Sequence, residues 1–136
     1  MQYNVFKLPG PEDDLADAAQ WDVPVFIPTE AALRAALLSG RIAEVKSIAS
    51  RRILSLYPMT RQNNMLARVA VLNATGQNES AEALVIFEAW SWIEATRVRS
   101  DELEAELRDA SDPAAVNIWV GWPTHAELPD EVPPEA

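Results

Sequence analysis

The chain contains no cysteine, so neither a disulfide framework nor a thiolate metal site is available to it. Glycine is scarce as well. Gly10, Gly40, Gly76 and Gly121 stand singly, which excludes a phosphate-cradling Walker loop and the dinucleotide-binding fingerprint. A single histidine, His125, lies in a tail rich in proline and acid and is expected to be solvated. No set of His, Cys and carboxylate residues has the regular spacing of a zinc site. Glu102 and Glu106 share a helix face among further acids, the pattern of a solvated surface rather than of a catalytic pair. Asp13 and Asp14 lack metal-loop spacing, and no serine sits in a nucleophile elbow. The expectation is a protein without enzymatic activity, cofactor or metal. Long apolar runs are also missing. No stretch approaches a bilayer-spanning length, and the start MQYNVFKLPGPEDD lacks the pattern of a secretory signal.

Positive charge is in deficit, with 11 basic against 21 acidic residues and a net charge of −10, which argues against nucleic acid as a partner. The charge falls in blocks: residues 1–28 sum to −4, 29–76 to +5, 77–112 to −7 and 113–136 to −4. Alternating blocks suit helices that lie against one another, biasing register and partner choice more than stability.

Of the 10 prolines, only Pro58 falls between residues 29 and 112. Proline breaks helix interiors, so the middle of this 136-residue, single-domain chain is free to be helical and the ends are not. Thr29 is a plausible N-cap for an Ala/Leu-rich helix running to Tyr57, with Ser39-Gly40 either ending it or weakening it. Pro58 then stops or kinks the helix, and a shorter one follows to the turn at residues 73–76. Asn78 is placed to cap the last helix. Its stripe is read as Val85, Ala89, Trp92, Thr96, Leu103 and Leu107, widened by Ile86, Trp90 and Ile93. The C-terminal half of that helix narrows to a leucine seam expected to project from the core or to pair as a coiled coil. The fold class is therefore all-α, an antiparallel helical hairpin or three-helix bundle (about 29–57, 59–73 and 79–110). Extended arms at 1–28 and 113–136 flank it.

The arms carry apolar runs (YNVFKL, VPVFI, NIWVGW) that could form short edge strands. Either they fold back on their own helices or they grip another chain by strand addition or aromatic insertion. The aromatic residues read as partner-binding are Tyr3, Phe6, Trp21, Phe26, Trp90, Trp119 and Trp122. Trp90 and Trp92 are two apart and so point to different helix faces. At the Tyr57-Pro58 step, the ring is expected to close over the kink while its hydroxyl reaches a freed carbonyl.

The run RRILSLYPMTRQNNMLARVAVLN, followed by EAWSWIEATRVRSDELEAEL and then GWP, resembles a small helical module of tailed-bacteriophage genes. That module has an Ile/Leu-Tyr-Pro step, a Gln/Asn pair, Trp-Ile-x-x-x-Arg and Ser-x-x-Leu-Glu. The matching residues are Ile53, Tyr57, Pro58, Gln62, Asn63, Trp92, Ile93, Arg97, Ser100, Leu103 and Glu104. The likeness spans roughly residues 50–123 and is shared by tail fibre proteins, their assembly chaperones and short proteins encoded nearby. It implies a structural component of a phage tail or baseplate, of fibre-attachment or adaptor type, located in the virion and in the host cytoplasm during assembly. Its partners would be other tail, baseplate or fibre proteins, with several copies around a symmetry axis and neither nucleic acid nor membrane involved. The other role the resemblance allows is an assembly chaperone that leaves before the particle matures.

Overall fold

The computed structural model describes residues 29–134. They form three α-helices, α1 (Glu30–Leu56), α2 (Met59–Ala74) and α3 (Ala81–Asp109), and a 3-10 turn at Pro113–Ala115. The N-terminal arm, with the candidate residues Tyr3, Phe6, Trp21 and Phe26, lies outside the described residues.

Local chemistry sets each helix end. The Thr29 hydroxyl accepts from the Ala32 N–H at 3.1 Å, capping the orphan donors that begin α1. Ser39-Gly40 does not end α1, which runs unbroken through it. Gly76 closes α2 in the left-handed conformation at φ +70°. The Gln77 N–H reaches back to the Leu72 carbonyl at 2.7 Å and that of Gly76 to Asn73 at 3.3 Å, the Schellman arrangement. For α3 the cap is Ser80 rather than Asn78: its hydroxyl accepts from the Ala83 N–H at 3.2 Å, and the helix begins at Ala81.

The packing is a hairpin with one broken arm. α3 is the continuous arm, and α1 and α2 run antiparallel to it one after the other. Leu72 of α2 meets Ala83 and Ile86 at one end. Ile53 and Tyr57 meet Ala89 and Ile93 in the middle. Val45, Ile48 and Ala49 meet Leu103 and Leu107 at the far end. Among the carbonyls freed at the Tyr57-Pro58 break, α2 side chains satisfy those of Leu56 and Tyr57. The Gln62 amide donates to Tyr57 O at 2.7 Å and Arg61 donates to Leu56 O at 2.7 Å. This corrects the expectation that the Tyr57 hydroxyl would fill that role.

Two expectations for α3 are also corrected. Val85 is 65% exposed, because the buried residues of α3 recur at seven-residue spacing through Ile86, Ile93, Ser100 and Leu107, with Ala89, Thr96 and Leu103 beside them, and Val85 stands one position before the first. The leucine seam does not project. Leu103 and Leu107 are fully buried, covered by α1 and by Ile118 and Trp122 of the C-terminal arm.

That arm folds back on the helices. Among the described residues it forms no strand, only an isolated bridge between His125 and Leu128. Local bonds bend the NIWVGW run out of the extended path. The Asn117 side chain accepts from the Trp119 N–H at 3.0 Å, and the Trp122 indole N–H donates to Ile118 O at 2.9 Å. Gly121 then turns the chain at φ +79°.

Candidate functional site

Among the described residues, polar contacts concentrate in the cradle that holds the C-terminal arm. On α1, Arg34, Arg41, Val45, Ile48 and Arg52 fall at helical spacing along one face. The apolar members enter the core and the arginines reach over the arm's backbone. Arg34 donates to Ala110 O at 2.6 Å. Arg41 donates to Val116 O at 2.5 Å and to Pro113 O at 3.4 Å. From α3, Arg99 gives two bonds to Val120 O, at 3.2 and 2.9 Å, and the Trp92 indole donates to Thr124 O at 3.0 Å.

Arg52 is the centre of the cradle and is only 2% exposed. It donates to Pro123 O at 2.7 Å, to Pro129 O at 3.1 Å and to the Glu131 carboxylate at 3.2 Å. Its guanidinium carbon lies 6.0 Å from the centre of the Trp92 ring, at the edge of cation–π range. Its Nε is buried without a hydrogen-bond partner. Arg51 takes both oxygens of the same carboxylate, at 3.1 and 2.8 Å. Four arginines thus bind backbone carbonyls, and Arg51 a carboxylate, along a tail whose five prolines and glycine turn leave its carbonyls without helix or sheet partners, so that these acceptors are satisfied from side chains.

Burial pushes the Glu131 carboxyl up, but the hydrogen bonds from Arg51 and Arg52, together with their charges, outweigh it and hold the group below the usual glutamate range. A carboxylate with a lowered folded-state pKa contributes stability that is complete above the unfolded pKa and lost as pH falls through the folded one. The arm is therefore expected to stay clamped at neutral pH and to loosen only in acid, as pH falls below the ordinary glutamate range. Tryptophan fluorescence followed through an acid titration checks this, and Glu131→Gln should remove that component of the transition.

His125 is half-buried and hydrogen-bonded, where a freely solvated side chain was expected from its tail. Its Nε2 lies 3.0 Å from the Tyr57 hydroxyl, and its Nδ1 accepts from the Glu127 N–H at 3.0 Å. With Nδ1 accepting, the proton of the neutral ring sits on Nε2 and is donated to Tyr57. Both rings meet Trp92: His125 edge-on with centroids 5.0 Å apart, and Tyr57 tilted at 5.9 Å. Burial raises the Tyr57 phenol pKa, and Glu127 and Glu88 add to this while Arg61 opposes it. The phenol is held neutral, so the trio ties the α1–α2 break to the arm.

Gly121 is packed against Arg99. A Cβ there would come within 2.7 Å of the Arg99 Nε, at a backbone φ of +79°. Gly121→Ala is expected to cost about 1–2 kcal/mol from the left-handed backbone, with displacement of the guanidinium from Val120 O. A thermal melt of the variant measures it.

The aromatic residues expected to meet partners are placed as follows. Trp122 is 8% exposed and belongs to its own chain's core. Trp119 is half-buried against the same cluster. Trp90 is half-buried against α2, beside Met65, with its indole nitrogen buried and unpaired. The arginine cradle was missed, because Arg34, Arg41, Arg51 and Arg52 read as the basic block that should face the acids of α3. Only Lys46–Glu104 and Arg68–Glu82 link helix to helix in that way among the described residues. The signal lay in the spacing: arginines in line with Val45 and Ile48 occupy the stripe that is buried.

The chemistry this arrangement performs is recognition of backbone carbonyls. Among the described residues there is no cluster of three or more metal-ligating side chains, and no helix long and apolar enough to cross a membrane. No protein-family model, curated protein or solved structure matches the chain.

Proposed function

We propose that the chain is a structural component of a bacteriophage tail or baseplate, of fibre-attachment or adaptor type, that works through protein–protein contacts. One observation carries the reading. Ile53, Tyr57, Gln62, Trp92 and Ile93, five of the residues that resemble the tail-associated module, converge on one packing node. Ile53 and Ile93 form its apolar centre. Tyr57 and Gln62 close the helix break, and Trp92 holds the arm at Thr124. A motif whose members build one rigid body suits a scaffold, whereas a catalytic motif gathers reactive groups around an opening. The role includes residence in the virion, several copies around the tail axis and contacts with other tail, baseplate or fibre proteins.

Quantitative mass spectrometry of purified particles tests it. The chain should be present at a fixed ratio to the major tail proteins. Its presence in infected-cell extract and absence from particles would overturn the reading in favour of an assembly chaperone.

A further inference from the structure

On the side of the α1–α3 seam away from the C-terminal arm lies a second groove, of about 510 Å³, to which the arm contributes no residue. Its floor is apolar, from Ala49 and Ile53, and the exposed Leu54 and Met59 stand at its rim. Into this apolar setting α3 places a carboxylate. Glu104 is 9% exposed, and its Oε1 is buried without a hydrogen-bond partner. The Lys46 ammonium approaches it at 3.5 Å, an electrostatic contact from a side chain that is itself 67% exposed. A buried carboxylate oxygen without a donor is costly, and a cation entering the groove relieves that cost. The occupant should therefore present one ammonium or guanidinium group flanked by apolar side chains.

The chain itself contains such a segment. Residues 1–28 hold a single basic residue, Lys7, in the run Tyr3-Asn4-Val5-Phe6-Lys7-Leu8. In extended backbone Tyr3, Val5 and Lys7 fall on one side, an apolar–apolar–cationic row that matches the groove's floor and its carboxylate. Reach is not limiting. The 22 residues from Lys7 to Thr29 can span about 70 Å, and the groove begins about 25 Å along α1 from Thr29. The acids that follow, Glu12, Asp13 and Asp14, would pass the groove's exposed cations Lys46 and Arg97.

We propose that this groove is the docking site for residues 3–8 of the same chain, with the Lys7 ammonium on the Glu104 carboxylate. The inference does not depend on the phage-tail reading. Because the chain lacks cysteine, a single engineered pair tests it: Val5→Cys with Ser50→Cys at the groove, against Val5→Cys with Ser91→Cys on the exposed back of α3. Dilute full-length protein is oxidised and the products are resolved by non-reducing gel and peptide mapping. The groove pair should form an intramolecular disulfide at least tenfold faster than the control pair. Lys7→Glu should bring it down to the control rate, and Glu104→Gln should slow it by severalfold. Equal rates for both pairs, or indifference to Lys7→Glu, would overturn the proposal. A disulfide-linked dimer as the main product would overturn it too, and would assign the groove to a second copy. Circular dichroism of each variant, matching the parent, ensures that the rates compare folded proteins.

Discussion

Arg52→Ala is expected to lower the unfolding free energy by about 3–5 kcal/mol, the range for removing one partner of a buried ion pair. For a domain of this size that is a melting temperature lower by about 10–20 °C. Three losses add. The carbonyls of Pro123 and Pro129 lose their donor, at 2.7 and 3.1 Å in the parent. The Glu131 carboxylate keeps Arg51 but loses the contact from inside the cradle. The stem of a side chain only 2% exposed is removed from between α1 and the arm, leaving a cavity. Arg51→Ala provides the contrast. Its side chain is 57% exposed, and exposed ion pairs contribute about 0–1 kcal/mol. Arg52→Met should fall between the two, since it restores the packing of the stem but leaves both carbonyls without a donor. Urea unfolding of the three variants measures the ranking. A loss below about 1 kcal/mol for Arg52→Ala would show that the arm is held by its apolar residues alone.

The helices were legible in the sequence because their signals are local. Thr29 as a cap, Pro58 as the only proline of the central segment and the turn at Gly76 each act within a few residues, and they set α1, α2 and α3 to within a residue or two. That the arm folds back was one of the two readings open from the sequence, but how it is held was not legible, because what fixes it is long-range. Arg41 meets Val116, and Arg52 meets Pro123 and Pro129, more than seventy positions away. An arginine that binds backbone carbonyls leaves no complementary residue type in the sequence to find, since every residue carries the acceptor. His125 was misplaced for the same reason: its neighbours in sequence are polar, but its neighbours in space are Tyr57 and Trp92. The C-terminal half of α3 looked like a free leucine seam only because Ile118 and Trp122, which cover it, come from beyond the helix.

A chain ending at Asp112 is expected to lose its fixed tertiary structure while keeping most of its helix. Ile118 is fully buried and Trp122 is 8% exposed. Removing them returns apolar surface to water at about 1.5–3 kcal/mol each and uncovers Leu103 and Leu107 as well. Arg41, Arg52 and Arg99 lose their carbonyl acceptors in the same step, and the contacts that joined the arm to α1 and α3 go with them. The sum approaches the whole stability of a small domain, about 5–15 kcal/mol. The expected state keeps its far-UV circular dichroism, loses its near-UV signal and binds a hydrophobic dye. Shorter truncations separate the contributions. Ending the chain after Glu131 removes Val132, 71% exposed, and should change stability by no more than about 0.5 kcal/mol. Ending it after Pro129 removes the Glu131 clamp while sparing Trp122, and should give a protein that melts lower but still cooperatively. Cooperative melting of the Asp112 form at the parent temperature would mean that α1, α2 and α3 make a sufficient core without the arm. Ordered losses across the three end points would instead make the arm the fourth element of the fold, held in place by arginine rather than by sheet or helix.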